Sequence, residues 1–448
     1  MGSNSTRPAR SYVVIVLGLW LVGPLFLQAQ HLAVSDSATV TTSRHLAALH
    51  FDRLSIRDGL SQKDVYAVLQ DQQGFMWLGT RYGLNRYDGY TFSVYRNTPF
   101  DAASLSDDWV LALWEDRADG LWVGTLRGLN RLNPTTDQAV RYRHDPDNAH
   151  SLSHDLIWAI YEDRDSTLWI GTAGGLNRMD RATGRFTRYL HDPDIPHSLS
   201  SNQVYALHED RWGRLWVSTA NGLNRMDRAT GRFTRYLHDP DIPHEQRNDI
   251  LFGIAAEPEA RPHVIRGLCD DPTTPDVLWV STERGLLRFD AQTGQYTRYM
   301  PDADDSDRSI VMDVVPDPAA ADALWLTTNG GGLYRFDTRT RRFVSYRHDP
   351  HVPTSVGSDK LGPLYVDRTG VVWAGSFGQG VSTFHPAKGG FVWYRHVPGQ
   401  PNSLSHADVW TVREDHTGTL WIGTNAGLNR LHRETGTFTH YVHDPHDP

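Results

Sequence analysis

One tryptophan-centred phrase recurs through the whole chain: MWLGT at Trp77, LWVGT at Trp122, LWIGT at Trp169, LWVST at Trp216, LWVST at Trp279, LWLTT at Trp325, VWAGS at Trp373 and LWIGT at Trp421. The spacings are 45, 47, 47, 63, 46, 48 and 48 residues. A repeat of this period restricts the chain to a solenoid, a propeller or an array. The single long spacing coincides with an insertion around Ala255 to Pro275. The string GLNRMDRATGRFTRYLHDPDIPH runs from Gly175 to His197 and again, unchanged, from Gly222 to His244, the sharpest copy of the unit.

Inside one unit four short apolar runs alternate with turn residues: Gln203–Asp210, Arg214–Ala220, Gly222–Asp227 and Phe233–Asp239. The connectors hold Gly213, Asn221-Gly222 and Thr230-Gly231, which start turns or accept positive φ cheaply. No window of helical length keeps a 3.6-residue apolar period. Each unit therefore reads as a four-stranded antiparallel meander, which cannot bury both faces unless neighbouring units cover them. Radial stacking answers that need, so the expected fold is an all-β, β-propeller architecture with eight repeats. The tryptophans are the expected wedges between blades, at 150–250 Å2 of buried surface for a large aromatic side chain.

Closure has two solutions. Phe51 to Asp58, FDRLSIRD, repeats the fourth-strand pattern and is placed to latch the ring. Eight blades closing together is the expectation, because an orphan blade would expose a face; seven blades with one left over is the alternative.

At 448 residues, 39% hydrophobic and 22% charged, the chain is globular rather than disordered. A net charge of −9 with interspersed signs excludes nucleic acid as a partner. Arg7 and Arg10 precede the uncharged stretch Ser11–Ala29, which reads as a signal peptide over residues 1–29, with a linker over 30–50 and the propeller over 51–448. An uncleaved anchor is the rival, although roughly 17 apolar residues at ~1.5 Å each reach only ~26 Å against a ~30 Å hydrocarbon core. A periplasmic or otherwise exported location follows. Cys269 is the only cysteine, which excludes an internal disulfide and reads as a core residue.

Two recurrent motifs invite chemistry and are better read as scaffold. His-Asp-Pro at His144, His191, His238, His348 and His443 marks the end of the unit in five repeats, with a further copy at His446; copies in different blades lie too far apart to share a metal ion. The Asp-Pro step starts a turn into the long connection. The acid pairs Glu162-Asp163, Glu209-Asp210 and Glu414-Asp415 repeat with the unit, whereas a catalytic carboxylate pair is asymmetric. No catalytic residue, metal or cofactor is expected.

Variation against this frame marks the candidate ligand face. The turn between the second and third strands changes from blade to blade: Arg81-Tyr82, Leu126-Arg127, Ala173-Gly174, Ala220-Asn221, Glu283-Arg284, Asn329-Gly330, Phe377-Gly378-Gln379 and Asn425-Ala426. Tyr66, Trp109, Trp158, Tyr205 and Trp410 stand near the entrance of the innermost strands. The candidate ligand-binding residues are thus Tyr66, Arg81, Tyr82, Trp109, Arg127, Trp158, Tyr205, Asn221, Arg284, Asn329, Trp410 and Asn425. Aromatic faces with Arg and Asn donors suit a polyhydroxylated ligand. The alternative is that the aromatics plug the channel.

The units Leu168–Asp210 and Leu420–Pro445 resemble the two-component regulator propeller repeat, and Phe51–Gly89 resembles the start of the exported sensor region of hybrid two-component systems. The resemblance implies a non-catalytic periplasmic sensor that binds small-molecule or oligosaccharide ligands. It further implies a membrane histidine kinase or a second propeller as partners, and seven blades per ring. A glycan-active propeller enzyme, lyase or glycosidase, and a protein-interaction platform are the competing readings.

Overall fold

Residues 34–35, 49–236, 267–302, 310–387, 394, 396–432 and 437–442 are described by the structure, a computed structural model. They belong to one unit, Ala33–Pro448; the expected signal peptide and most of the insertion lie outside the described residues, as do His238, His443 and His446. The described residues form eight sheets, antiparallel throughout except that Val34–Ser35 adds in parallel to Tyr296–Tyr299, and the described helical content is one 3-10 turn, Ile56–Asp58. No helix among the described residues is long and apolar enough to cross a membrane.

Blade 3 is representative. Its strands Ile157–Glu162, Leu168–Thr172, Gly175–Asp180 and Arg185–Tyr189 pair in sequence order, and Trp169 faces Arg178 in the register. Blade 4 repeats that register at Trp216 and Arg225, so the duplicated string occupies equivalent settings where it is described. Within the ring the glycine two after a tryptophan leaves room for the next blade: a Cβ on Gly124 would meet Ile157 at 2.7 Å, and one on Gly171 would meet Val204 at 2.7 Å. Trp77, Trp122, Trp169, Trp216, Trp279 and Trp325 are at most 2% exposed. Each packs into a cluster shared between neighbouring blades.

Ring closure departs from the eight-blade expectation. Seven sheets close the ring, and the eighth, Val409–Tyr441, stands outside it. Blade 7 supplies only Leu361–Val366, Val372–Ser376 and Val381–Phe384; its fourth strand is the N-terminal Asp52–Leu54, antiparallel to the third. Arg53 donates to the carbonyl of Ser355 at 2.7 Å, as Arg188 does to that of Ser151 at 2.9 Å within blade 3. Phe51 N–H bonds the carbonyl of Thr354, matching Phe186 and His150. The seam between blades 7 and 1 is packed by Trp373, Leu60, Val65 and Met76, and bridged by Asp64 and Phe377. The orphan blade that made eight the expectation does occur: the whole first strand of the eighth sheet, Val409–Glu414, is exposed. Its Trp421 is only half-buried, so seven tryptophans, not eight, are wedges of the ring.

Candidate functional site

The repeated polar residues are consumed by the frame. In blade 3 the carboxylate of Asp163 accepts Trp169 Nε1–H at 2.7 Å and the N–H of Thr167 at 2.9 Å; Asp71, Asp116, Asp210, Asp271, Asp367 and Asp415 hold their tryptophans likewise. Burial works against ionisation of Asp116, yet Trp122 Nε1–H, the N–H of Gly120 and Arg181 outweigh it and hold the carboxyl below its ordinary range. Blade 6 differs: Asp317 pairs with Arg335 at 2.8 Å, and Trp325 Nε1 has no hydrogen-bond partner among the described residues. Two of the three acid-pair glutamates staple blades of the ring, Glu162 accepting from Arg117 N–H at 2.9 Å and Glu209 from Arg164 N–H at 2.8 Å; the third, Glu414, lies on the exposed first strand of the eighth sheet.

The His-Asp-Pro residues are equally engaged. Nδ1 of His144, His191 and His348 bonds the carbonyls of Leu152, Leu199 and Val356 at 2.6, 2.6 and 2.8 Å, which fixes Nδ1 as the donor. The following aspartates accept from the backbone two residues on, as Asp192 does from Asp194 N–H at 2.9 Å. The fully buried asparagine of each GLN triplet ties the connection to the third strand, Asn177 Oδ1 accepting from Ser153 N–H at 2.9 Å. Cys269 sits in a core cluster, and burial pushes its thiol up.

What remains is the channel mouth. Tyr66, Trp109, Trp158 and Tyr205, from the first strands of blades 1 to 4 or just before them, meet Met312 of blade 6 and Phe377 of blade 7 in one cluster. The turn residues Leu126, Ala173 and Ala220 pack against it. Tyr66 lies 5.6 Å from both Trp109 and Phe377, ring centre to ring centre, and Trp158 meets Tyr205 edge-on at 6.2 Å. Trp158 and Tyr205 are 2% exposed, so their rings offer no open face; they form the plug. Beneath them the first strands line a cavity of about 180 Å3, walled by alanines 67, 112, 159 and 206, with Asp313 as the acid. Asp313 has a structural task, accepting at 2.8 Å the N–H of Leu364, which the bulge around Pro363 frees from its ladder.

Around the plug runs an open rim. Arg81 lies over Trp109 at 4.2 Å and Arg96 over Tyr82 at 4.3 Å; Tyr82 is 52% exposed. Arg127 pairs with Asp107 at 3.5 Å, Asn221 donates to the carbonyl of Ser200 at 3.3 Å, and Arg284 is exposed. Asn329 occupies the blade 6 turn, where its N–H bonds the carbonyl of Ile310. Trp410 and Asn425 are not brought to this site: they sit on the eighth sheet, bonded to each other, Asn425 also donating to Asp408 at 2.9 Å. The sequence-based set also omitted Glu283. Burial, partly offset by Arg284, pushes its carboxyl up to about 8, and its charge acts on Tyr205. Its signal was present: it is the one acid among the variable turn residues.

Comparison with known proteins accords with this geometry. The two component regulator propeller model matches residues 59–82, 151–174, 198–221 and 403–426, each running from a connection to the variable turn. Forty-nine residues are 55% identical to Histidine kinase P4 of Formosa agariphila, covering 11% of this chain and 4% of that protein. The extracellular domain of BT3049 from B. thetaiotaomicron, assigned as a hybrid two component system, superposes with a TM-score of 0.62 at 21% identity, covering 89% of this chain and 55% of that one. Virginiamycin B lyase from Staphylococcus aureus superposes at 0.53 with 13% identity, over 75% of this chain and 99% of the lyase. These two likenesses concern the fold, and the chain spans about half the length of the solved extracellular domain. In four of its units, then, the chain carries the two component regulator propeller repeat.

Proposed function

We propose that the seven-bladed ring is a non-catalytic, ligand-sensing module of a two-component system, exported to the periplasm by residues 1–29, and that its rim binds an oligosaccharide. The observation that carries this reading is the contrast between frame and mouth. Trp-Asp, Ser-Asn and His-carbonyl clamps recur around the ring, while the turns bordering the plug change side chain from blade to blade. A membrane histidine kinase is the fitting partner for such a module, and a further propeller would cover the eighth sheet. Burial of Trp158 moves the expected stacking surface outward, to Tyr82 and Trp109.

Titration calorimetry of the exported chain against plant and algal oligosaccharides tests the reading. A bound member should lose about tenfold or more on Tyr82→Ala, since burial of an aromatic face and its contacts is worth over 1.4 kcal/mol. Trp410→Ala, outside the ring, should leave it unchanged. Binding unaffected by Tyr82 and Trp109 changes would remove the rim from the site. Glu283, held protonated near neutrality beside Tyr205, supports a second reading as a glycan lyase or glycosidase. Turnover of any panel member, abolished by Glu283→Gln, would establish the enzyme instead.

A further inference from the structure

Cations are unevenly distributed around the mouth. Blade 1 carries Arg81 in its variable turn and Arg96 just after its fourth strand; blade 2 carries Arg127 and Arg143 at the corresponding places, and blade 3 carries none, with Ala173, Gly174 and Leu190 there. The residues after the fourth strands belong to the same rim, because they pack on the turn glycines: a Cβ on Gly83 would touch Arg96 at 3.0 Å and one on Gly128 would touch Arg143 at 3.2 Å. Asp107 and Asp108 are the acids among them, the second already accepting Asn97 N–H at 2.6 Å. Among the described residues, four guanidinium groups stand with these two carboxylates in one sector of a chain whose net charge is −9.

The arrangement favours planar anions. Arg81 and Arg96 each lie over an aromatic ring, at 4.2 and 4.3 Å, which restrains the guanidinium planes. A guanidinium presents its fork of N–H donors bidentately to a carboxylate or sulfate, more strongly than to a neutral hydroxyl. The Arg127 side chain is 73% exposed, and the neighbouring Tyr82 ring can take the C–H face of a sugar. We infer that the blade 1 and blade 2 sector of the mouth takes an oligosaccharide bearing anionic groups. This rests on the sensor reading above and names its ligand class.

Four probes separate the possibilities: tetragalacturonate, its fully methyl-esterified form, a sulfated carrageenan tetrasaccharide and its desulfated counterpart, each titrated into the full exported chain. At least one charged member should bind about tenfold or more tighter than its neutral partner, which distinguishes uronate from sulfate recognition. That binding should weaken when ionic strength rises, as partly exposed charge pairs do. Arg81→Gln and Arg127→Gln should each lose about tenfold for the charged probe only, and Arg339→Gln, on a turn between third and fourth strands, should lose nothing. Arg81→Lys keeps the charge without the fork and serves if the glutamine variant does not fold. Equal binding of charged and neutral partners, or charge preference indifferent to Arg81 and Arg127, overturns the inference and leaves the sensor reading standing. Binding of none of the four nor of any member of the wider panel overturns both.

Discussion

Blade 3 and the eighth sheet are nearly the same sentence folded in two surroundings. Both keep the unit's hydrogen bonds: Trp169 to Asp163 at 2.7 Å and Trp421 to Asp415 at 2.8 Å, Ser153 to Asn177 and Ser405 to Asn429 both at 2.9 Å. Their burial differs. Ile157 and Trp158 are buried in blade 3, whereas the corresponding Val409 and Trp410 of the eighth sheet are 45% and 75% exposed. Local polar clamps therefore shape a blade without a neighbour, and the neighbour supplies the apolar burial. Hydrogen bonds specify the unit; contact between units stabilises it.

The largest test of that division is a pair of truncations at equivalent positions. Trp169→Ala should destabilise the ring by about 3–5 kcal/mol in denaturant unfolding, as large-to-small core changes do. Trp421→Ala should leave the ring's transition in place and loosen only its own sheet; equal costs would abolish the distinction. Acid supplies an intermediate effect. Burial opposes ionisation of Asp116, Asp210 and Asp367, but bonds from their tryptophans and turn N–H groups leave all three below the ordinary carboxylate range. Each therefore contributes stability that is complete above the unfolded value of about 4 and fades as pH falls through the folded one. Melting temperature should drop below about pH 4, and Asp116→Asn should flatten the drop. The smallest effect is expected from deleting residues 394–448, which should leave the ring's melting midpoint unchanged; a fall of several degrees would make the eighth sheet part of the ring.

The strands, the tryptophan wedges and the scaffold role of the acid pairs were legible because each follows from local pattern repeated many times. Closure was not, because two segments compete for one edge. FVWYRHVP, from Phe391, follows blade 7 in sequence and carries fourth-strand character, but Asp52–Leu54 takes that edge while Tyr394 packs against Phe438 of the eighth sheet at 5.3 Å. Sequence pattern cannot rank two acceptable strands for one partner. The mouth was legible as a place and not as an arrangement: variation singled out Arg81, Tyr82 and Trp109, but no local pattern separates Trp158 the plug from Trp158 the platform. Glu283 shows the same limit: it stands out in sequence as the one acid of the variable turns, but the burial that opposes its ionisation is not written in that turn.

Closure by Asp52–Leu54 also sets a schedule. Arg53 and its acceptor Ser355 are 302 residues apart, so a strand from the start of the ring's sequence must wait for an edge from its end. Throughout that interval Phe51 and Leu54 have no core to enter, and the strand is an open template for another chain. Asp52, Arg53, Arg57 and Asp58 surround those two apolar residues with charge, a composition that discourages the wrong partner until the right one has folded.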